Sequence, residues 1–199
     1  MKRKKQNRRQ RHQAGFTLAE TLLAVLIMLM VSTIVATGIP VARNAYEKVV
    51  LRANAEVLLS TTIAALRDEI GTASRVEISD GGNSIIYYSA DAEAPSKISN
   101  GRTSGSGPTG PISLFVNISL AELNNQEGTQ RPLVSNAAST NDLYATYDTV
   151  SVSADGLVSF NGLKVKVRRV SNDSVLAALE NASGTPIPLE IRLIMKEKE

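Results

Sequence analysis

The chain has 199 residues, a formal net charge of +3, no Cys and one His, His12. The lack of Cys excludes disulfide bonds, thiol nucleophiles and Cys-ligated metal sites, and beyond residue 12 no His is left for a catalytic triad or a His-containing metal site. We therefore predict no enzymatic activity, no metal and no cofactor.

Residues 1–15 are predicted to be a basic leader peptide. They contain seven Lys or Arg and no acidic residue. Because positive charge holds the flank of an apolar segment in the cytoplasm, we expect a cytoplasmic N-terminus and an exported chain after Pro40. The other 15 basic residues stand against 19 acidic ones, a net charge of −4. The whole-chain pI of about 9.2 therefore does not indicate a nucleic-acid-binding protein.

Residues 16–40 are predicted to be a transmembrane and assembly helix. No residue from Thr21 to Thr37 is charged, and at about 1.5 Å per residue the segment can cross a hydrocarbon layer of about 30 Å. Glu20 is the one ionisable side chain between Phe16 and Val41. Because a charge at the centre of a bilayer costs about 2.5–3.5 kcal/mol on insertion scales, Glu20 requires a partner or a shallow position.

A cut after Gly15 would supply that partner. Phe16 would then begin the chain with a free α-amine, and Glu20 would lie about one helical turn further on. In a bundle of such helices, the carboxylate of one chain can pair with the terminal amine of its neighbour, which neutralises both groups in a low dielectric. This pairing indicates a subunit that polymerises.

The hexapeptide Gly15-Phe16-Thr17-Leu18-Ala19-Glu20 resembles the processing site of type IV prepilins, a family that includes pilins and the pseudopilins of type II secretion and competence machines. The resemblance implies that a prepilin peptidase cuts after Gly15 and that Phe16 becomes N-methylated. It also implies that Glu20 is the assembly carboxylate.

The same resemblance implies a helix break at Gly38 and Pro40, and Pro removes a helix donor on physical grounds too. The implied partners are other pilin or pseudopilin subunits and a membrane assembly platform. The implied location is the cell membrane, spanned once, with the head outside the cell or on a surface filament. The disulfide-bounded loop of some family members is absent from this Cys-free chain.

Other interpretations of the N-terminus stay open. A secretory signal peptide has a shorter apolar core, of about 7–15 residues, and a small-residue cleavage site, to which Ala42–Ala45 is a poor match. A plain single-pass anchor would hold Glu20 at the membrane interface. The alternative function is a membrane-tethered extracellular binding module that never enters a filament, and replacement of Glu20 would leave such a module unaffected.

Residues 41–199 are predicted to form a pilin-like extracellular head that begins with an amphipathic helix over 41–70. Apolar residues recur there at spacings of three and four with one offset: Tyr46, Val50, Ala53, Val57, Leu59, Ile63, Leu66 and Ile70. We expect this face to lie on a sheet and Gly71 to end the helix.

The chain from 74 to 195 is predicted to be rich in β-strands. Hairpins are expected where alternating runs flank turn residues, at 75–79 with 84–88 and at 149–153 with 157–160. Further strands are expected over 112–120, 163–168 and 187–195, and loops over 91–111 and 124–142. Residues 174–182 favour helix by composition and strand by position. The predicted fold class is α+β, with the long N-terminal helix packed on an antiparallel sheet of about five to seven strands.

Lys164, Lys166 and Arg168 share one face of the strand predicted over 163–168, where they could contact DNA phosphates. No aromatic residue is interleaved with them for base stacking, and basic residues often line the solvated face of a sheet. DNA binding is therefore the weaker interpretation of this strand.

Overall fold

The computed structural model describes residues 17–89, 94–100, 110–116, 118, 129–134, 142–168 and 174–193. The chain divides into two compact units, and the division falls between Glu47 and Lys48. In the described part of the chain, the first unit contains the N-terminal portion of one long helix. The second contains the rest of that helix and the strands. The α+β class predicted from the sequence is confirmed.

Helix α1 spans Leu18–Gly71 and has 54 residues. It ends at the Gly that the sequence predicted as its stop. Three hydroxyls of the uncharged run donate to carbonyls of the preceding turn: Ser32 Oγ to Met28 O at 2.7 Å, Thr33 Oγ1 to Leu29 O at 2.8 Å, and Thr37 Oγ1 to Thr33 O at 3.0 Å. These polar groups are thus satisfied within the helix, as an apolar environment requires.

The helix break expected at Gly38 and Pro40 is not present. Both residues lie inside α1, whose assignment continues without interruption to Gly71. A proline removes one N–H donor from the i to i−4 ladder, but the hydrogen bonds on either side are sufficient to keep the backbone helical. Pro40 is therefore a gap in the hydrogen-bond ladder and not an end of the helix.

The apolar face predicted for residues 41–70 is confirmed in its second half, since Leu59, Leu66 and Ile70 are buried, but its first half is wrong. The buried residues are Ala55, Leu58, Leu59, Thr62, Leu66 and Ile70, whereas Tyr46, Ala53 and Val57 are exposed. The predicted stripe was offset between Val57 and Leu59, and two positions along a helix correspond to about 200° around its axis. The offset therefore separates two different faces of the helix.

Eleven strands are present in the described part of the chain. They are β1 (Ala73–Ser79), β2 (Ser84–Ser89), β3 (Ser96–Ser99), β4 (Ser113–Val116), β5 (Thr129–Pro132), β6 (Leu143–Thr146), β7 (Thr149–Val152), β8 (Leu157–Asn161), β9 (Lys164–Val167), β10 (Ser174–Ala178) and β11 (Leu189–Arg192). All pairings are antiparallel, in three sheets with the strand orders β1-β2-β3-β4-β5, β10-β9-β6 and β11-β8-β7.

Both predicted hairpins are confirmed, because β1 pairs with β2 and β7 pairs with β8. The prediction of one sheet with five to seven strands is wrong, since β3 and β5 lie within stretches predicted as loops. These strands are short and largely polar, and pairing with β2 and β4 forms them rather than local propensity. The ambiguous segment 174–182 forms β10, which pairs with β9.

One buried cluster joins the second part of α1 to the sheets. Leu66 and Ile70 belong to the same cluster as Ile85, Ile98 and Val165, and all five are fully buried. Ile86, which follows Ile85 along β2, belongs to a separate buried cluster with Phe115 and Ile118. Because adjacent strand residues point to opposite faces, the five-stranded sheet is buried on both faces.

Candidate assembly and processing segment

The residues predicted to be processed lie before the first described residue. Gly15 and Phe16 fall outside the described residues, so cleavage after Gly15 and methylation of Phe16 stay predictions. Glu20, the predicted assembly carboxylate, lies in the first turn of α1, and its side chain is exposed. Of the three predicted residues, the structure therefore describes Glu20, which lies at the start of α1.

Thr17 and Glu20 form a reciprocal cap on this helix end. The backbone N–H of Thr17 donates to Glu20 Oε2 at 2.8 Å, and the Thr17 hydroxyl donates to the same oxygen at 3.0 Å. In return, the backbone N–H of Glu20 donates to Thr17 Oγ1 at 3.3 Å. This is a capping box, which satisfies amide groups that a helix end leaves without partners. The Thr-x-x-Glu spacing of a capping box is present in the sequence, although we did not predict the cap from it.

The carboxylate of Glu20 has no cationic partner among the described residues. The five ion pairs found there involve other acids: Glu47, Glu56, Glu77, Asp80 and Asp148. The capping box therefore orients Glu20 through hydrogen bonds without neutralising its charge. In a low-dielectric environment that charge requires a cation from outside the described residues.

The apolar run after Glu20 is exposed along its length. Leu22, Leu29 and Ile34 are 63%, 63% and 69% exposed. Among the described residues, α1 is the one helix that is long and apolar enough to cross a membrane. An apolar surface of this extent marks a membrane or protein contact. The run therefore requires lipid or other helices around it.

The structure places two of the three basic residues near β9 against other groups. Lys164 Nζ lies 2.7 Å from Asp148 Oδ1, and the guanidinium carbon of Arg168 lies 5.5 Å from the centre of the Tyr144 ring. These contacts partly satisfy both charges within the head. The face consequently gives no support to the DNA-binding interpretation.

Comparison with known proteins gives one finding, at the N-terminus. Residues 10–36 match the family model of the prokaryotic N-terminal methylation motif, whereas no curated protein and no solved structure matches the chain significantly. The matched range contains the predicted cut site and Glu20, which confirms the resemblance seen in residues 15–20. The motif indicates a structural pilin-type protein. This chain therefore carries a type IV prepilin-type cleavage and methylation motif on an exposed apolar helix, which fits a membrane-anchored, pilin-like subunit.

Proposed function

We propose that the chain is a structural subunit, pilin or pseudopilin, of a filament of the type IV pilus, competence or type II secretion class. A prepilin peptidase removes residues 1–15, Phe16 is methylated, and the helix over 16–40 leaves the membrane for the filament core with the help of an assembly platform. The N-terminus starts in the cytoplasm, and the head over 41–199 is exported. The geometry of Glu20 is the observation that carries this proposal.

Glu20 combines three properties that a tethering helix does not need. Its carboxylate is exposed, it is oriented by two hydrogen bonds from Thr17, and it lacks a cation among the described residues. In a bundle of helices, the α-amine of Phe16 from a neighbouring subunit supplies the missing charge. Because both groups must be desolvated together, pairing at one defined stagger is strongly favoured over others.

The capping box allows the charge of Glu20 to be tested separately from its hydrogen bonds. Glutamine also closes a capping box, so Glu20→Gln retains the cap and removes the charge. Thr17→Val removes the hydroxyl of the cap and retains the charge. Each full-length variant is expressed in a host with a prepilin peptidase and assembly platform, and its N-terminal mass and its amount in the sheared filament fraction are measured.

We expect wild-type chains that begin at methylated Phe16 and enter filaments. The Glu20→Gln chains should be inserted in the membrane but absent from filaments, whereas Thr17→Val chains should assemble in reduced amounts. If Glu20→Gln assembles as well as wild type, the carboxylate–amine pairing is wrong. If wild-type chains retain residues 1–15 and never enter filaments, the chain is instead the membrane-tethered binding module.

A further inference from the structure

The turn between β8 and β9 contains an Asn-Gly pair, Asn161 and Gly162. Asn161 is the last residue of β8, and Gly162 follows it with φ of +65°. Both residues are half-buried, so water reaches them. A carboxamide thus lies next to a backbone nitrogen that no side chain of its own residue shields.

An Asn side chain can be attacked by the backbone nitrogen of the residue that follows it. That nitrogen gives up its proton and forms a bond to Cγ, while the bond from Cγ to Nδ2 breaks and ammonia leaves with the proton. The product is a cyclic imide. Water then opens the ring at one carbonyl or the other, which gives aspartate or isoaspartate. Glycine in the second position favours the attack, because it has no Cβ to obstruct the approach of its nitrogen.

The attacking nitrogen is available in this structure. In the described part of the chain, the N–H of Gly162 donates no hydrogen bond, although the carbonyl of Asn161 in the same peptide unit accepts from the N–H of Asp148 at 2.9 Å. The Asn161 side chain has one contact, from Nδ2 to Thr149 Oγ1 at 3.4 Å, which is longer than an ordinary hydrogen bond. No strong hydrogen bond therefore keeps the two reacting groups apart.

A second Asn-Gly pair, Asn100 and Gly101, has different surroundings. Asn100 is fully buried, and its Nδ2 donates to Tyr147 O at 3.2 Å. Its backbone N–H donates to Asn83 O at 3.3 Å, and its carbonyl accepts from Gly110 N at 2.8 Å. These contacts fix Asn100 and keep its side chain away from water, which the ring-opening step consumes. The chain therefore contains an internal comparison for Asn161.

We propose that Asn161 is a modification site, which deamidates to aspartate and isoaspartate through attack of the Gly162 nitrogen on its Cγ. Water is the one co-reactant, and ammonia is the one product released. The proposal does not depend on the filament function, since the reaction takes place within a single chain.

The modification places a new carboxylate beside an existing ion pair. The carboxylate of Asp148 lies so close to Gly162 that a Cβ there would overlap it, and it pairs with Lys164 Nζ at 2.7 Å. A second carboxylate at position 161 repels that of Asp148 or competes with it for Lys164. Isoaspartate also adds a carbon to the main chain between β8 and β9. The turn should therefore loosen as the protein ages.

The first test follows the two Asn-Gly pairs in the full chain in detergent. Peptide mapping by mass spectrometry measures the conversion of amide to acid, and labelling by an isoaspartyl methyltransferase reports isoaspartate. We expect both products at position 161, formed faster at mildly alkaline than at neutral pH because the nitrogen must lose its proton. Asn100 should react about tenfold more slowly or less, since it must first be exposed by an opening of the fold. Equal rates at the two positions would overturn the proposal.

The same measurement on the chain unfolded in urea is the control. Both pairs should react there, which verifies that conversion at Asn100 can be detected. If Asn161 reacts in the unfolded chain and stays intact in the folded one, the turn protects it and the proposal is wrong.

Asn161→Gln is the matched variant. It retains the carboxamide, but its longer side chain would form a larger ring and does so far more slowly. We expect the isoaspartate label of the folded chain to disappear and the melting temperature to stay constant on incubation, whereas that of wild type should fall. An undiminished label in Asn161→Gln would assign the reaction to another residue, and an equal fall in both melting temperatures would contradict the loosening of the turn.

Discussion

The ammonium group of Lys97, in the middle strand of the five-stranded sheet, lies 2.8 Å from Oδ2 of Asp80. The Lys97 side chain is 2% exposed and that of Asp80 is 42% exposed. Asp80 adopts a left-handed conformation, with φ of 54°, in the turn that joins β1 to β2. The turn therefore presents its carboxylate to a cation supplied by the sheet itself.

Asp80→Asn should destabilise the head more than Lys97→Met. The first change leaves a buried ammonium group without its facing carboxylate, whereas the second removes the buried charge and leaves an Asp80 that water can reach. We expect losses of about 1–3 kcal/mol and about 0–2 kcal/mol in the free energy of unfolding, respectively. Denaturant unfolding of the full chain in detergent measures both, and the reverse order would contradict this account.

The ion pair between Lys97 and Asp80 predicts that the stability of the fold decreases at acid pH. Partial burial raises the pKa of Asp80, but the hydrogen bonds that its carboxylate accepts, chiefly from Lys97, and the charge of Lys97 more than offset it, so the pKa lies below its usual value. A carboxyl whose folded pKa is lowered stabilises the fold above its unfolded pKa, about 3.9, and this contribution disappears as pH falls through the folded pKa. Melting temperatures from pH 7 to pH 3 should therefore fall less steeply for Asp80→Asn than for wild type.

Tyr87→Phe should destabilise the contact between α1 and β2. The Tyr87 hydroxyl donates to Glu69 Oε2 at 2.7 Å, and burial together with this hydrogen bond raises the pKa of Tyr87, which keeps it a donor. We expect a loss of about 0.5–1.5 kcal/mol in unfolding free energy. Tyr88→Phe is the matched control, since no hydrogen bond of its hydroxyl is found among the described residues. Equal effects of the two changes would contradict this role for Tyr87.

Gly162→Ala should destabilise the turn between β8 and β9. Gly162 has φ of +65°, and a Cβ there would collide with the carboxylate of Asp148, the partner of Lys164. We expect a loss of about 1–3 kcal/mol, because an L-residue is strained in this conformation and the ion pair must move. Gly71→Ala, where a Cβ meets nothing within 4 Å, should leave the melting temperature unchanged or raise it.

The two faces of α1 should respond differently to truncation. Leu66 is fully buried in the core, so Leu66→Ala should cost about 2–5 kcal/mol of unfolding free energy. Val57 is 64% exposed on the opposite side of the helix, so Val57→Ala should change the stability of the single subunit by no more than about 0.5 kcal/mol. A large loss with Val57→Ala would show that the head itself covers this face.

Features encoded in contiguous residues were predictable from the sequence. The uncharged run, the end of α1 at Gly71 and the hairpins around Asp80 and Asp155 depend on local pattern and turn chemistry, and all are present. The position of Glu20 was predictable for the same reason. Its capping partner Thr17 was encoded equally locally.

Features that depend on distant pairing were not predictable in the same way. The strand containing Lys97 has a polar sequence in a stretch rich in Gly, Pro and Ser, and it becomes a strand through its partners Ile86 and Phe115. The inward face of α1 was predicted correctly at Leu66 and Ile70 but misassigned over residues 46–57, because Ala53 and Val57 are as apolar as Ala55 and Leu58. Hydrophobic periodicity identifies apolar stripes but does not state which of two stripes a sheet will cover.

The length of the buried face of α1 has a mechanical consequence. Its buried contacts run from Ala55 to Ile70, a length of about 22 Å along the helix. A tensile load applied along this part of the helix strains these contacts together, in shear. The force at which the sheets are pulled away from this part of α1 is therefore determined by side-chain packing at residues such as Leu58 and Leu66, and not by the strength of any connecting loop.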